Sequence, residues 1–138
     1  MKYLTIKEVS KLLSVPEHTI RYYTDMGMIP NIKRSSGNYR LFDEEAIDWL
    51  KGTIYFRQMG LSLKDIKHYH DLCFSEDQEA LYERYNLLQK YCEIAEKELI
   101  NANERLQHMK RITERDRQIA EELMPDQMNT YKKRKSGK

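Results

Sequence analysis

The chain has 138 residues, 33% of them charged and 40% hydrophobic, with a net charge of +2. That leaves room for one compact domain and one extended element, or for a single ordinary domain, and would cramp two full domains. No run reaches the roughly 18 apolar residues of a membrane span, and Met1-Lys2-Tyr3-Leu4 enters a helical pattern without a signal-peptide core, so a cytoplasmic protein away from any membrane is expected.

Charge is spread unevenly. Residues 1–42 carry seven Lys/Arg against three Asp/Glu, a net of +4, while residues 76–131 carry eight against thirteen, a net of −5. A basic front on an acidic rear suggests that the front meets a polyanion. Residues 132–138, Lys-Lys-Arg-Lys-Ser-Gly-Lys, hold no apolar side chain and read as a disordered basic tail.

In chain order, Thr5-Ile6-Lys7-Glu8 fits a capping box that opens a short helix from about Ile6 to Leu13, with Ile6, Val9, Leu12 and Leu13 on one stripe. The turn Ser14-Val15-Pro16 leads to a second helix, roughly Glu17 to Met26, which Gly27 ends in a left-handed conformation. Such a pair is a helix-turn-helix candidate. Ile20 and Tyr23 face inward, and His18, Thr19, Arg21 and Tyr22 lie nearer the outer face. Within residues 32–42, two strand-like runs flank Ser-Ser-Gly-Asn and predict a hairpin wing. Asp43 then caps a helix to about Met59, ended by Gly60, with apolar stripes Ile47-Leu50-Ile54 and Trp49-Phe56-Met59 that call for cover on two sides. Ser62 with Asp65 opens another helix in capping-box fashion, to about Leu72, that places Leu63, Ile66 and Cys73 on one face.

From about Asp77 to Arg117 there is no proline or glycine, and Leu81, Tyr85, Leu88, Cys92, Ala95, Leu99, Ala102, Leu106 and Met109 follow at alternating spacings of four and three. That is a coiled-coil heptad. The helix would be on the order of 60 Å long at 1.5 Å per residue, too long to bury its seam on the small front domain. A second copy of the chain is its simplest partner. The expected division is a winged helix-turn-helix domain with helix pair at 1–75, a coiled-coil helix at 76–120 and a tail at 121–138.

This order of elements resembles the MerR family of bacterial transcription regulators. Thr19-Ile20-Arg21-Tyr22-Tyr23 is similar to the family's recognition-helix signature, Gly27-Met28-Ile29-Pro30 to the turn after it, and Asn38-Tyr39-Arg40-Leu41-Phe42-Asp43 to the end of its wing. Met59-Gly60-Leu61-Ser62-Leu63-Lys64-Asp65-Ile66 resembles the second wing and the next helix. Pro16 departs from the family's usual Ser or Thr cap, which leaves the start of the second helix open by a few residues. The resemblance implies a mostly α fold, an antiparallel coiled-coil homodimer and binding to a pseudo-palindrome within a promoter. It further implies distortion of double-stranded DNA for RNA polymerase, in response to a small-molecule effector if there is one.

On this reading the DNA contacts are Thr5, His18, Thr19, Arg21, Tyr22, Tyr23, Lys33, Arg34, Tyr39, Arg40 and Lys64. Arg21 suits a phosphate or the guanine edge, His18 and Thr19 suit base reading, and the hydroxyls of Thr5, Tyr22, Tyr23 and Tyr39 suit phosphate oxygens. Lys33, Arg34 and Arg40 would follow the backbone or the minor groove. Tyr23 is equally suited to the core.

Other features carry blander expectations. Cys73 and Cys92 belong to no Cys-x-x-Cys pair or Cys/His cluster, and His68 and His70, two apart, point to different sides of a helix. No metal, no cofactor and no thiol switch is expected. Trp49, Tyr55, Phe56, Tyr69, Phe74, Tyr82, Tyr85 and Tyr91 could line a ligand pocket or serve as packing. No nucleophile elbow, phosphate loop or convergent acid pair suggests an enzyme. The competing reading is a coiled-coil adaptor whose helix-turn-helix binds no DNA.

Overall fold

The computed structural model describes residues 2–127. Its elements are β1 (Leu4–Thr5), α1 (Ile6–Leu13), α2 (Glu17–Asp25), β2 (Lys33–Arg34), β3 (Arg40–Phe42), α3 (Glu44–Gln58), α4 (Leu63–Cys73) and α5 (Gln78–Ala120). The basic segment 132–138 lies outside the described residues. The chain divides within α5, into one unit through Cys92 and a second from Glu93 onward. The first turns of α5 group with the front unit.

Local chemistry sets the helix ends. Thr5 accepts the Glu8 amide at 3.2 Å while the Glu8 carboxylate accepts the Thr5 amide at 3.0 Å, the complete capping box. The Thr5 amide holds the Glu8 carboxyl below its usual range. Ser14 ends α1 in the left-handed region at φ 55°, and Ser10 closes the turn by accepting the Val15 amide on its carbonyl and donating its hydroxyl to the Val15 carbonyl. Pro16 starts α2 with no side-chain cap: its carbonyl accepts the amides of Thr19 and Ile20. Gly27 and Gly60 follow α2 and α3 at φ 74° and 98°, where a side chain would be strained.

The wing is an antiparallel hairpin, with Lys33 opposite Leu41 and Arg34 opposite Arg40. A third strand that periodicity did not reveal, β1, pairs with the other edge of β3, Leu4 opposite Phe42 and Thr5 opposite Leu41. The wing is thus bonded to the residue that caps α1.

The core of the front unit gathers Val9, Ile20, Tyr23, Met28, Ile29, Phe42, Ala46, Leu50, Leu61 and Ile66. In α1 and α3, two expectations of side-chain placement fail. Leu12 is 59% exposed, because α1 buries its stripe through Val9 with Ile6 and Leu13 beside it. Met59, at the C-terminal end of α3, is 48% exposed, and the fully buried line of that helix is Ala46, Leu50 and Thr53. Trp49 and Phe56 do receive the expected cover: Trp49 stacks on Phe74 at 5.2 Å and meets His70 edge-on at 4.7 Å, and Phe56 meets Tyr69 at 4.8 Å. These rings are packing between α3 and α4.

Leu88 and Tyr91, on the first part of α5, pack against the same core. In the second unit every seam residue is exposed, Leu99 by 71%, Leu106 by 49% and Met109 by 61%. Arg117 binds Glu114 at 2.5 Å and also Glu121.

Candidate nucleic-acid interface

Helix α2 buries Ile20 and Tyr23, which at 3.6 residues per turn turns His18, Arg21, Tyr22 and Asp25 outward. Arg21 is 3.9 Å from Glu17 one turn back, an exposed pair that holds it loosely. Thr19, expected on the outer face, is half-buried at the border of the core. Tyr23, at 8% exposure, is a core residue; its ring lies 6.1 Å from that of Tyr22, which is exposed.

A shallow cleft beside α2 brings together residues from three separated segments. Thr5 and Lys7 come from the start of α1, Glu17 and Arg21 from α2, and Arg34, Asn38, Tyr39 and Arg40 from the wing. The expected contacts Thr5, Arg21, Arg34, Tyr39 and Arg40 thus share one surface. His18, Tyr22, Lys33 and Lys64 are exposed outside it. Lys7, in the first turn of α1, lines the same cleft, where a lysine opposes the helix macrodipole that favours negative charge.

The wing tip is shaped for Tyr39. The Ser35 amide donates to the Tyr39 carbonyl at 2.8 Å, the Ser35 hydroxyl accepts the Tyr39 amide, and Arg34 donates to the Asn38 carbonyl at 3.1 Å. A Cβ on Gly37 would stand 3.0 Å from the Tyr39 ring, so glycine there lets the ring lie over the turn. The ring itself is 73% exposed. Arg40, by contrast, is largely covered and donates to the Asp25 carboxylate at 2.5 Å, tying the wing to the end of α2.

Helix α4 holds the other side of the α2 exit. Lys67 donates to the Gly27 carbonyl at 3.3 Å, and His70 reaches the Met28 carbonyl at 3.1 Å through Nδ1, which must carry the proton because a carbonyl only accepts. Burial pushes the His70 pKa down. His68 pairs instead with Glu83 at 2.9 Å, so the two histidines do point apart. Among the described residues no group of three His, Cys, Asp or Glu side chains could hold a metal. Cys73 accepts from Arg84 at 3.3 Å, and Cys92 is exposed.

A surface of arginine, lysine, tyrosine and threonine donors around an exposed helix is suited to a phosphate backbone with base edges beside it. Residues 4–72 match the family model described as MerR HTH family regulatory protein. The chain is 34% identical over 85 residues to the HTH-type transcriptional regulator AdhR of Bacillus subtilis, a match that covers 62% of this chain and 60% of that relative. It shares 30% identity and a TM-score of 0.63 with the crystal structure of a protein assigned to the MerR family of transcriptional regulators from Listeria monocytogenes, over 98% of this chain and 99% of that one. The same fold recurs, at 23% identity and a TM-score of 0.64, in HiNmlR, a MerR family regulator lacking the sensor domain and bound to promoter DNA, over 77% of this chain and 80% of that one. With its two short helices, paired wing and matched family model, the chain belongs to the MerR family of helix-turn-helix regulatory proteins.

Proposed function

We propose that the chain acts in the cytoplasm as a homodimeric, sequence-specific DNA-binding transcription regulator. The observation that carries this reading is the cleft in which Thr5, Lys7, Arg21, Arg34 and Tyr39 converge beside α2, since side chains from three segments on one exposed face are what phosphate recognition needs. Helix α2 enters the major groove with His18, Arg21 and Tyr22 toward the base edges. The wing, with Lys33, Arg34 and Tyr39, follows the backbone, and Lys64 at the start of α4 adds a further phosphate contact. Thr5 keeps its capping bond and donates its hydroxyl hydrogen outward.

The exposed seam of α5 supports pairing with a second copy, which covers Leu99, Leu106 and Met109. Two-fold symmetry then matches an inverted repeat. Within a promoter the dimer distorts the DNA so that RNA polymerase engages both promoter elements, under the control of a small-molecule effector.

The test is titration of the full chain against a duplex enriched from a random-sequence pool and against its scrambled version, at several salt concentrations. Arg21→Ala should cost more than about 1 kcal/mol on the enriched duplex alone. Lys33→Ala should weaken both alike and lower the salt slope by about one. Equal affinity of the wild type for both duplexes would end the reading.

A further inference from the structure

Ser62 and Asp65 satisfy only half of a capping box. The Ser62 hydroxyl accepts the Asp65 amide at 3.1 Å, but the Asp65 carboxylate does not return to the Ser62 amide. The hydroxyl of Tyr91, on α5, stands between them instead. It accepts the Ser62 amide at 3.3 Å and donates to Asp65 Oδ2 at 2.5 Å. The Tyr91 ring is half-buried against the core, so packing sets where that hydroxyl stands. The first turn of α4 is therefore held by the long helix.

Further along α4 sit the two groups that hold the exit of α2. Lys67 binds the Gly27 carbonyl, and His70, 5% exposed and wedged edge-on against Trp49, binds the Met28 carbonyl. Met28 in turn donates its amide to the Tyr23 carbonyl at 3.1 Å, so a shift of Met28 moves the last turn of α2. Between the two ends α4 has no proline or glycine and is one unbroken helical span, Leu63–Cys73.

We propose that Tyr91 is a positioning residue for DNA recognition: through Ser62 and Asp65 it fixes α4, and α4, through Lys67 and His70, fixes the orientation of α2. This rests on the reading of α2 as the DNA-reading helix. It makes α4 a strut that reports the position of α5 to the recognition surface, built from directional hydrogen bonds that a small displacement breaks.

The experiment uses the full chain, the duplex enriched by the wild type from a random-sequence pool, and a scrambled duplex. Tyr91→Phe keeps the packed ring and removes only the hydroxyl. Its affinity for the enriched duplex should fall about five-fold, in the range found for residues that act on a site they do not touch, while the scrambled duplex stays within about two-fold. A merely structural role would lower the unfolding temperature without changing that discrimination. In a His70→Leu background, where the buried one of the two links to the α2 exit is cut, the further loss from Tyr91→Phe should be clearly smaller than in the wild type. His70→Asn, which keeps a donor near the Nδ1 position, should restore the dependence on Tyr91. Should Tyr91→Phe fold poorly, Asp65→Asn weakens the same bond and should reduce discrimination likewise. Unchanged discrimination in both folded variants, or additive losses with His70→Leu, overturns the strut alone. Failure of the wild type to enrich any duplex overturns the DNA reading and the strut with it.

Discussion

Arg40 of the wing donates to the carboxylate of Asp25, the last residue of α2, at 2.5 Å across fifteen positions of sequence. The arginine is largely covered and the aspartate 61% exposed. Such a pair contributes below about 1 kcal/mol to stability because water screens the exposed partner. Its main effect is to hold the wing at a set angle to α2 while keeping one guanidinium occupied.

Asp25→Asn should therefore leave the unfolding temperature nearly unchanged and free the Arg40 guanidinium within the cleft it already lines. Scrambled duplex should bind more tightly, with a salt slope steeper by about one, while the preference for the enriched duplex falls because the wing angle is no longer held. Titrations at several salt concentrations check this. A slope equal to that of the wild type would show that Arg40 stays where it is.

Thr5 has two tasks at one place, capping α1 and lining the cleft. Thr5→Ala should cost about 1 kcal/mol of stability, as loss of an N-cap does, and should also weaken DNA binding at temperatures where the variant is fully folded. Thr5→Ser keeps the oxygen and should restore both. Chemical denaturation and duplex titration together check the pair of effects, and recovery of only one by serine would separate the tasks.

His70 sets a pH dependence. Burial lowers its pKa in the folded chain, opposed by the Met28 carbonyl and by Asp71 and reinforced by the charge of Lys67. The unfolded chain takes up a proton near the ordinary value of about 6.5 while the folded chain resists it. The stability linked to His70 is thus fully present above that pH and is lost as pH falls from there through the lower folded value. Thermal unfolding between about pH 8 and pH 5 should show a steeper acid loss in the wild type than in His70→Asn, which cannot titrate. Parallel curves would mean that His70 is not held neutral.

The family resemblance implies an antiparallel coil, and the seam allows a register to be proposed for it. With the two-fold axis between Ala95 and Leu99, Ala95 would meet Leu99 of the second copy, Cys92 would meet Ala102 and Tyr85 would meet Met109, while Leu88, already packed against the front core, would have only its remaining exposed face for Leu106. A parallel coil would set Cys92 against Cys92. In a Cys73→Ser background, mild oxidation followed by non-reducing electrophoresis should leave the antiparallel chain uncrosslinked. An efficient Cys92-linked dimer would reverse the assignment. Cys73→Ser itself should keep DNA binding, since Cys73 only accepts a weak bond from Arg84.

Features carried by neighbours three or four positions apart were legible in the sequence. Thr5 with Glu8, Asp43 with Ala46 and the hydroxyl of Ser62 with Asp65 close their caps within one turn, and Gly27 and Gly60 stand where only a positive φ ends the helix. The hairpin, the heptad and the convergence of Thr5, Arg21, Arg34, Tyr39 and Arg40 on one surface follow from period, turn chemistry and resemblance. Tertiary structure alone decided the rest, because it joins groups that no local spacing relates. The pairing of β1 with β3, the burial of Tyr23 and exposure of Leu12, the occupation of Arg40 by Asp25, and the Tyr91 hydroxyl set between Ser62 and Asp65 each depend on how helices and strands pack. A side chain's periodic position names the face it occupies, but the partner it meets there is chosen by the packing of the whole core.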